Sequence, residues 1–207
     1  RLRAIEIMST RAANRAQATA HQVESVLKQV DLLLLEARRN LDPEEVRGGP
    51  SARTAAKTPA MHGLLRELRS GLPQLRHLHV VGADGRYVYT THDSLATQTL
   101  LDRSFFRQQA ANASDRLVVS EPLVGRVIER WGIFPSRRLI TRDGRFAGLV
   151  LAALDADTLG SVMLAVDQQA WTLALLDERL HLVARVPALE PMAVAPFPEA
   201  GLEACRR

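Results

Sequence analysis

The sequence predicts an α+β protein in which a long N-terminal helix packs on an antiparallel sheet of five strands. Three observations carry this prediction. Residues 1–40 of the 207 contain neither Gly nor Pro, two β-rich segments each surround an Asp-Gly pair, and a helical segment lies between those two segments. With 46% hydrophobic residues, the chain can bury a core large enough for both kinds of element. We therefore expect helix and sheet to share one core.

The first element is a single amphipathic helix over residues 1–40. Apolar side chains recur at helical spacing, at Val23, Val26, Leu27, Val30, Leu33, Leu34 and Ala37. At ~1.5 Å per residue such a helix is ~60 Å long, which exceeds the width of a compact domain of this size. We therefore predict that part of the helix projects or pairs with another helix. Because its apolar length exceeds what one small sheet can cover, we predict a weak parallel homodimer through residues 5–35.

A loop and a second helix follow. The stretch "DPEEVRGGPSARTAAKTP" is rich in Gly, Pro and small residues, which is typical of a loop. Leu64, Leu65 and Leu68 then predict a shorter helix that ends at Gly71 and Pro73.

Two hairpins and the elements around them form the predicted sheet. "LRHLHVVGADGRYVYTT" turns at Asp84-Gly85 and "RRLITRDGRFAGLVLAAL" turns at Asp143-Gly144, where Gly accepts the positive φ of a tight turn. Between them we predict a helix in "DRSFFRQQAANAS" and a short strand in "RLVVSEP". After the second hairpin Asp157 can cap a returning helix. A third, weaker hairpin pattern carries Asp177-Glu178 at its turn and begins a further structural unit.

Composition excludes several classes of protein. The net charge of +4 comes from arginines that are scattered along the chain, whereas a nucleic-acid-binding protein gathers them on one face. The lone Cys205 excludes an intramolecular disulfide and a Cys-x-x-Cys metal site. The sequence has no catalytic motif and no phosphate-binding glycine loop, so we expect neither enzymatic activity nor a cofactor. No apolar run reaches the ~20 residues of a membrane span, and "RLRAIEIMST" lacks the features of a signal peptide.

Across residues 1–190 the order of segments resembles the double Cache sensor domains, whose fold is similar to PAS. The resemblance rests on the long helix and on "DRSFF", "LVVSEPLVG", "SRRLITRDGRFAGLVLAALD" and "LLDERLHLVARVP". Such domains are extracytoplasmic inputs of bacterial diguanylate cyclases, histidine kinases and chemoreceptors. The resemblance implies a periplasmic part of an inner-membrane receptor whose flanking transmembrane helices lie outside this chain.

The resemblance also implies a division of the chain and a function. Residues 1–42 would form a signalling and dimerisation helix, residues 59–166 a membrane-distal PAS-like lobe, and residues 167–207 an incomplete membrane-proximal PAS-like lobe. Ligand binding in the distal lobe would be transmitted through the helix. The alternative is a module that has lost its ligand and serves only for dimerisation.

Candidate ligand-binding residues come from the same resemblance. Amino-acid-binding members hold a carboxylate with an Arg-x-Trp-Tyr group, whose places Arg103, Phe105 and Phe106 occupy, and Asp155 matches their aspartate for an α-ammonium group. Three other pocket positions depart from the family and carry Gln98, Leu123 and Gly125. A carboxylate or another small polar ligand is therefore expected in place of an amino acid. Alternatively, the two phenylalanines are core residues and Arg103 is solvated.

Strand alternation adds further candidates. Only one of Arg137 and Arg138 can face the pocket, and we choose Arg138 with Ser136 on the same face. Tyr87 and Tyr89 share a face by the same rule, and so do His77 and His79. The histidine spacing suits a metal, but because no third ligand is evident we favour a solvated face and expect no metal site.

Overall fold

The computed structural model describes residues 2–52, 58–93, 97–111, 114–127, 129–165 and 172–188, with side chains from residue 11 onward. The helices are α1 (Leu2–Arg39), α2 (Pro43–Arg47), α3 (Thr58–Ser70), α4 (Ser104–Ala111) and α5 (Ala156–Leu164). The strands are β1 (His77–Gly82), β2 (Tyr87–Thr90), β3 (Leu123–Val124), β4 (Trp131–Ile133), β5 (Ser136–Ile140), β6 (Phe146–Asp155), β7 (Leu173–Leu176) and β8 (Leu182–Val186). None of the helices in these ranges is long and apolar enough to cross a membrane.

The main sheet is antiparallel and has β6 at its centre. Its strand order is β2-β1-β6-β4-β3, and β5 also pairs with β6. Strands β4 and β5 follow one another along the same edge of β6 and are separated by Phe134 and Pro135, so together they fill one of five strand positions. The predicted α+β class, the long helix and the sheet are thus confirmed.

Alternating residues of β6 face two different cores. Val150, Ala152 and Leu154 lie on the face that α1 covers, whereas Leu149, Leu151 and Ala153 lie on the face toward α4. Helix α1 buries Val23, Val26, Val30, Leu34 and Ala37 on the first face. Between residues 11 and 22 only Thr19 is buried. The half of α1 near the C-terminus is therefore the half that packs on the sheet.

Two glycines complete the predicted turns, and a third permits close strand pairing. Gly85 and Gly144 adopt φ of 76° and 81° at the two Asp-Gly turns, as predicted. Gly148 in β6 has φ of 135°, and a Cβ atom there would lie 2.0 Å from the backbone oxygen of Val81. Since that approach is far inside van der Waals contact, only glycine fits at this pairing with β1.

Several local predictions were wrong. The loop after α1 contains α2 and a 3-10 turn at Pro50–Ala52, because Asp42 caps α2 by accepting from the Glu44 N–H (3.1 Å). The predicted strand in "RLVVSEP" is reduced to a single bridge between Val118 and Ser136, followed by β3. Pro122 within that segment has no N–H to donate to a ladder.

The cap of α5 and the faces of the tyrosines also differ from expectation. Asp155, not Asp157, caps α5 and accepts from the Thr158 N–H at 2.9 Å. Tyr87 and Tyr89 lie on opposite faces, because the β1–β2 register shifts at a bulge between Val80 and Val81.

The third hairpin, β7–β8, is present and packs beside α5 and β4. The Trp131 Nε1–H on β4 donates to the Leu182 backbone oxygen on β8 (3.1 Å). At its turn the Asp177 carboxylate accepts from the N–H groups of Arg179 and His181 (2.9 and 2.8 Å). The predicted boundary between 166 and 167, and residues 189–207 of the proposed second lobe, lie outside the described residues.

Candidate functional site: a pocket between helix α4 and the sheet

A pocket lies on the sheet face opposite α1, where the start of α4 and the turn after β3 come together. Its empty space, including the open mouth, is ≈ 330 Å³. The pocket is lined by His79, Tyr87, Leu100, Arg103, Phe105, Leu123, Gly125, Arg126, Val127, Phe134, Leu151 and Ala153. The lining is therefore mostly apolar with a few polar groups, which is the composition of a ligand site.

His79 is the most deeply buried polar group of the lining. Its side chain is 2% exposed, and its Nδ1 lies 2.8 Å from the Thr90 hydroxyl. The imidazole meets the Tyr87 ring edge-on, with 5.3 Å between the ring centroids. Burial, with smaller contributions from His77 and His92, lowers the pKa of His79 to about 3. The ring is therefore neutral at any pH near 7.

Two arginines of the lining have different partners. Arg126 donates to both carboxylate oxygens of Asp102 (2.8 and 2.5 Å) and to the Thr99 backbone oxygen, so its guanidinium is held in place. Arg103 donates from Nη2 to the Val124 backbone oxygen (2.9 Å). Within the described part of the chain no carboxylate lies in ion-pair distance of Arg103, so this guanidinium keeps donors for an anion.

Phenylalanine side chains form one wall and the layer behind it. Phe105 stacks against Phe134, with centroids 6.4 Å apart and ring planes 14° apart. Phe106 is also buried, but it points away from the pocket lining and contacts Phe146 edge-on at 5.6 Å. Adjacent helical residues point about 100° apart, so only one of the two rings can line the pocket.

Ser136 and Arg138 occupy the sheet face toward α4, as strand alternation predicts. The Gln109 amide donates to the Ser136 backbone oxygen (2.7 Å), and the Ser136 hydroxyl donates to the Val118 backbone oxygen (3.2 Å). Arg138 is 7% exposed, and its guanidinium carbon lies 5.9 Å from the centroid of the Phe146 ring. Both residues lie behind α4 and not in the pocket lining.

Asp155 is placed outside the pocket. It is 2% exposed and accepts from the Thr158 N–H (2.9 Å), the Thr158 hydroxyl (2.5 Å) and Arg76 Nε (2.8 Å). Burial by itself would raise its pKa, but the bonds from Thr158 and Arg76 outweigh burial and lower the pKa. Its carboxylate thus caps α5 and binds Arg76, the residue immediately before β1, and it is not part of the pocket lining.

The structure brings Arg103 and Phe105 together in the pocket lining, with Leu123 and Gly125, and adds four residues that the sequence analysis did not assign to the ligand. His79, Tyr87, Arg126 and Phe134 come from β1, β2, the segment after β3 and the β4–β5 junction. Alternation along β1 could have indicated His79, since Leu78 and Val80 face the other core. For Arg126 no local pattern points to the pocket. The three-ligand metal cluster that would use His77 and His79 is not found among the described residues.

Comparison with known proteins gives structural but not sequence similarity. A scan against protein-family models finds no match, and no curated protein sequence is similar to this one. The extracellular domain of rpHK1S-Z16, described as a histidine kinase, superposes with a TM-score of 0.68 at 22% identity, covering 92% of this chain and 75% of that one. The chain has the fold of an extracellular sensor domain.

The same sensor fold is found in two chemoreceptors. The ligand-binding domain of Pseudomonas fluorescens CtaA, solved with L-serine, gives a TM-score of 0.70 at 15% identity over 94% of this chain and 78% of that one. The sensory domain of Campylobacter jejuni Tlp3, solved with isoleucine, gives 0.68 at 12% identity over 97% and 80%.

Proposed function

We propose that the chain is the extracytoplasmic small-molecule-sensing region of a bacterial signal-transduction receptor, with ligand bound in the pocket between α4 and the sheet. The observation that carries the proposal is Arg103. Its guanidinium stands at an apolar pocket with no carboxylate partner among the described residues, and Phe105 beside it limits access of water. Because a guanidinium binds a carboxylate through forked hydrogen bonds, the site suits a small acid.

The predicted residues take different parts in this proposal. Arg103 and Phe105 contact the ligand directly. Phe106, Ser136 and Arg138 form the layer that supports α4 from behind, and Asp155 fixes the start of α5. The sensor-domain fold, which this chain shares with the chemoreceptor domains solved with amino acids, supports the placement of a ligand on this side of the sheet.

Transmission is proposed to run through the sheet to α1. Strands β5 and β6 contact the pocket side with one set of side chains and α1 with the other. A ligand that favours one position of these strands by ~1 to 3 kcal/mol is sufficient to shift the population of helix positions. In this proposal residues 1–42 carry the signal, residues 59–166 form the membrane-distal lobe, and residues 167–207 belong to a membrane-proximal lobe.

The experiment is a thermal-shift screen of small acids, followed by titration of two variants. Arg103→Ala should abolish the ligand-induced rise in Tm while changing the Tm of the free protein little, since its side chain is partly exposed. Arg107→Ala, one turn further along α4 and exposed, is the matched control and should keep the full response. Ligand binding that is unchanged in Arg103→Ala would refute the pocket assignment.

A second candidate function is a dimerisation module without a ligand. It is favoured by the exposure of α1 over residues 11–22 and by Leu32, which is 67% exposed. The two candidate functions differ in whether the pocket binds a ligand. An acid that stabilises the chain only when Arg103 is present supports sensing, whereas dimerisation with no stabilising acid supports the second candidate.

A further inference from the structure

We propose that the pocket selects short oxo-carboxylic acids over the amino acids of the same carbon skeleton, and that the Nε2–H group of His79 donates to the oxo group. This inference rests on the proposed function and specifies the ligand class of the same site. It is carried by the hydrogen bonds of Thr90 and by the chemical nature of the lining.

The Thr90 hydroxyl fixes the tautomer of His79. Thr90 Oγ accepts from the His92 backbone N–H (3.0 Å) and lies 2.8 Å from His79 Nδ1. Thr90 is 3% exposed, so its hydroxyl proton needs an acceptor within the protein. His79 Nδ1 is the acceptor that the described residues supply. A neutral imidazole that accepts at Nδ1 carries its proton on Nε2.

The Nε2–H group is consequently the hydrogen-bond donor that His79 can offer to a ligand in the pocket. Its ring belongs to the lining, and no described residue accepts a hydrogen bond from Nε2. The depressed pKa of His79, about 3, keeps this donor neutral. A neutral N–H suits a carbonyl oxygen better than a second carboxylate, whose buried charge it would leave uncompensated.

The described lining has no carboxylate to pair with an ammonium group. Among its described residues the polar side chains are His79, Tyr87, Arg103 and Arg126, and none is a carboxylate. Burial raises the pKa of Tyr87 to about 12, so its hydroxyl stays protonated. Asp102 is bound by Arg126, and Asp155 is bound by Arg76 and Thr158 outside the pocket. An amino acid would therefore bury its ammonium beside donors and cations, which is unfavourable.

Three acids that differ only at carbon 2 test the inference. 2-Oxoisovalerate, isovalerate and L-valine share one carbon skeleton, and their affinities for the whole chain can be measured by calorimetry. We expect the oxo acid to bind about tenfold or more tightly than valine, because valine leaves a buried ammonium unpaired, and also more tightly than isovalerate.

Variants at His79 separate the donor from simple packing. His79→Phe keeps a ring but removes the donor, and it should reduce affinity for the oxo acid to the level of isovalerate. His79→Gln places an amide nitrogen near the Nε2 position and should retain part of the preference. If both variants fail to fold, ¹⁵N NMR of the unmodified protein decides, since it should show His79 in the Nε2–H tautomer with that proton shifted by 2-oxoisovalerate but not by isovalerate.

The outcomes distinguish this inference from the proposed function. Valine binding as tightly as the oxo acid, with binding still lost in Arg103→Ala, would overturn the selectivity and leave the sensor function standing. An oxo-acid preference that persists in His79→Phe would overturn the role of His79. Failure of these three acids to bind would overturn the oxo-acid inference, and failure of every acid in the thermal-shift screen would overturn the proposed function as well.

Discussion

Arg137 on β5 binds Asp31 on α1 through two hydrogen bonds, from Nε to Oδ1 at 2.6 Å and from Nη2 to Oδ2 at 2.7 Å. The side chains are only 12% and 24% exposed, so water screens the pair weakly. Arg137 also donates to the Asp115 backbone oxygen (2.9 Å). The pair joins the long helix to the strand whose other face carries Ser136 and Arg138.

Loss of one partner of this pair should destabilise the domain. We expect Asp31→Asn to lower the free energy of unfolding by ~1 to 3 kcal/mol, because it removes the closer of the two carboxylates that pair with the partly buried Arg137 and leaves only the more exposed Asp115, 3.3 Å from Nη1. Chemical denaturation monitored by circular dichroism measures the change. Glu24→Gln, which removes the exposed Glu24–Lys28 pair on the same helix, is the control and should have no measurable effect. Equal effects of the two substitutions would contradict a special role for the Arg137–Asp31 pair.

The two adjacent phenylalanines should respond differently to substitution. Phe106→Ala should cost ~3 to 5 kcal/mol of stability, because the ring is 3% exposed and packs on Phe146. Phe106→Leu should cost less and leave ligand affinity intact. Phe105→Leu removes a ring that lines the pocket. It should reduce the free energy of acid binding by at least as much as it reduces the free energy of unfolding. A Phe106→Leu variant that loses binding more than Phe105→Leu would show that the rings have been assigned to the wrong sides of α4.

Stability should fall as the pH drops below neutrality. Burial lowers the pKa of His79 to about 3, and burial with the nearby His92 lowers that of His77 to about 4. An unfolded histidine binds its proton near pH ~6.5. Between these values the unfolded chain binds more protons, so the stabilisation is complete above pH ~6.5 and decreases toward pH ~4, by at most ~1.4 kcal/mol per pH unit for each histidine.

The histidine effect can be separated from that of the carboxylates. Asp155 and the other aspartates with lowered pKa lose their contribution only as pH falls below about 4. Urea titrations at intervals from pH 7.5 to 4.5 should therefore show that the free energy of unfolding falls as the pH falls. The slope of this dependence should be smaller in His79→Gln. If the slope above pH 5 is zero in the unmodified protein, the histidines are not buried as described.

Two glycines should give opposite results when changed to alanine. Gly63 is exposed within α3 and has no atom within 4 Å of a built Cβ, so Gly63→Ala should stabilise by ~0.5 to 1 kcal/mol. Gly148→Ala places a Cβ 2.0 Å from the Val81 oxygen at a φ of 135°, and it should prevent stable pairing of β1 with β6. Thermal melts measure both, and a Gly148→Ala protein with unchanged Tm would contradict the β1–β6 register.

Association through α1 remains a prediction for solution experiments. We expect a weak parallel homodimer through residues 5–35, detected as a rise of mass with concentration in light scattering. Leu32→Glu places a charge at the exposed apolar position and should abolish the rise, whereas Ile140→Glu, at a 50% exposed position on β5, should not. A strict monomer at high concentration would refute the dimer.

Sequence patterns predicted those parts of the fold that depend on local periodicity. The stripe from Val23 to Ala37 specified α1, and the two Asp-Gly turns specified the hairpins, because each signal lies within one element. The cap of α5 was misassigned because Asp155 and Asp157 both lie near the start of the helix, the first as its cap and the second within its first turn, and only the exact strand end distinguishes them. The bulge that separates Tyr87 from Tyr89 depends on pairing with β1, which no local pattern encodes.

The sequence indicated the pocket only at the start of α4. Arg103 and Phe105 were found from one contiguous stretch, whereas His79 and Arg126 reach the same space from segments that the tertiary fold brings together. Arg138 lies on the sheet face toward α4 and Arg137 on the face toward α1, as strand alternation predicts, because β5 is regular up to Leu139. Arg138 is nevertheless not part of the pocket lining.

The two-sided packing of β6 constrains how the proposed sensor could acquire a new specificity. A larger residue at Ala153 would reshape the pocket, but it would also push the strand that carries Ala152 and Leu154 against α1. In the proposed sensor, mutations on this strand would therefore change both the preferred ligand and the position of α1. Mutations at Phe105 on α4, or at Arg103 immediately before it, act from the side of the sheet opposite α1. In the proposed sensor, a change of ligand is consequently expected to proceed through the start of α4 first.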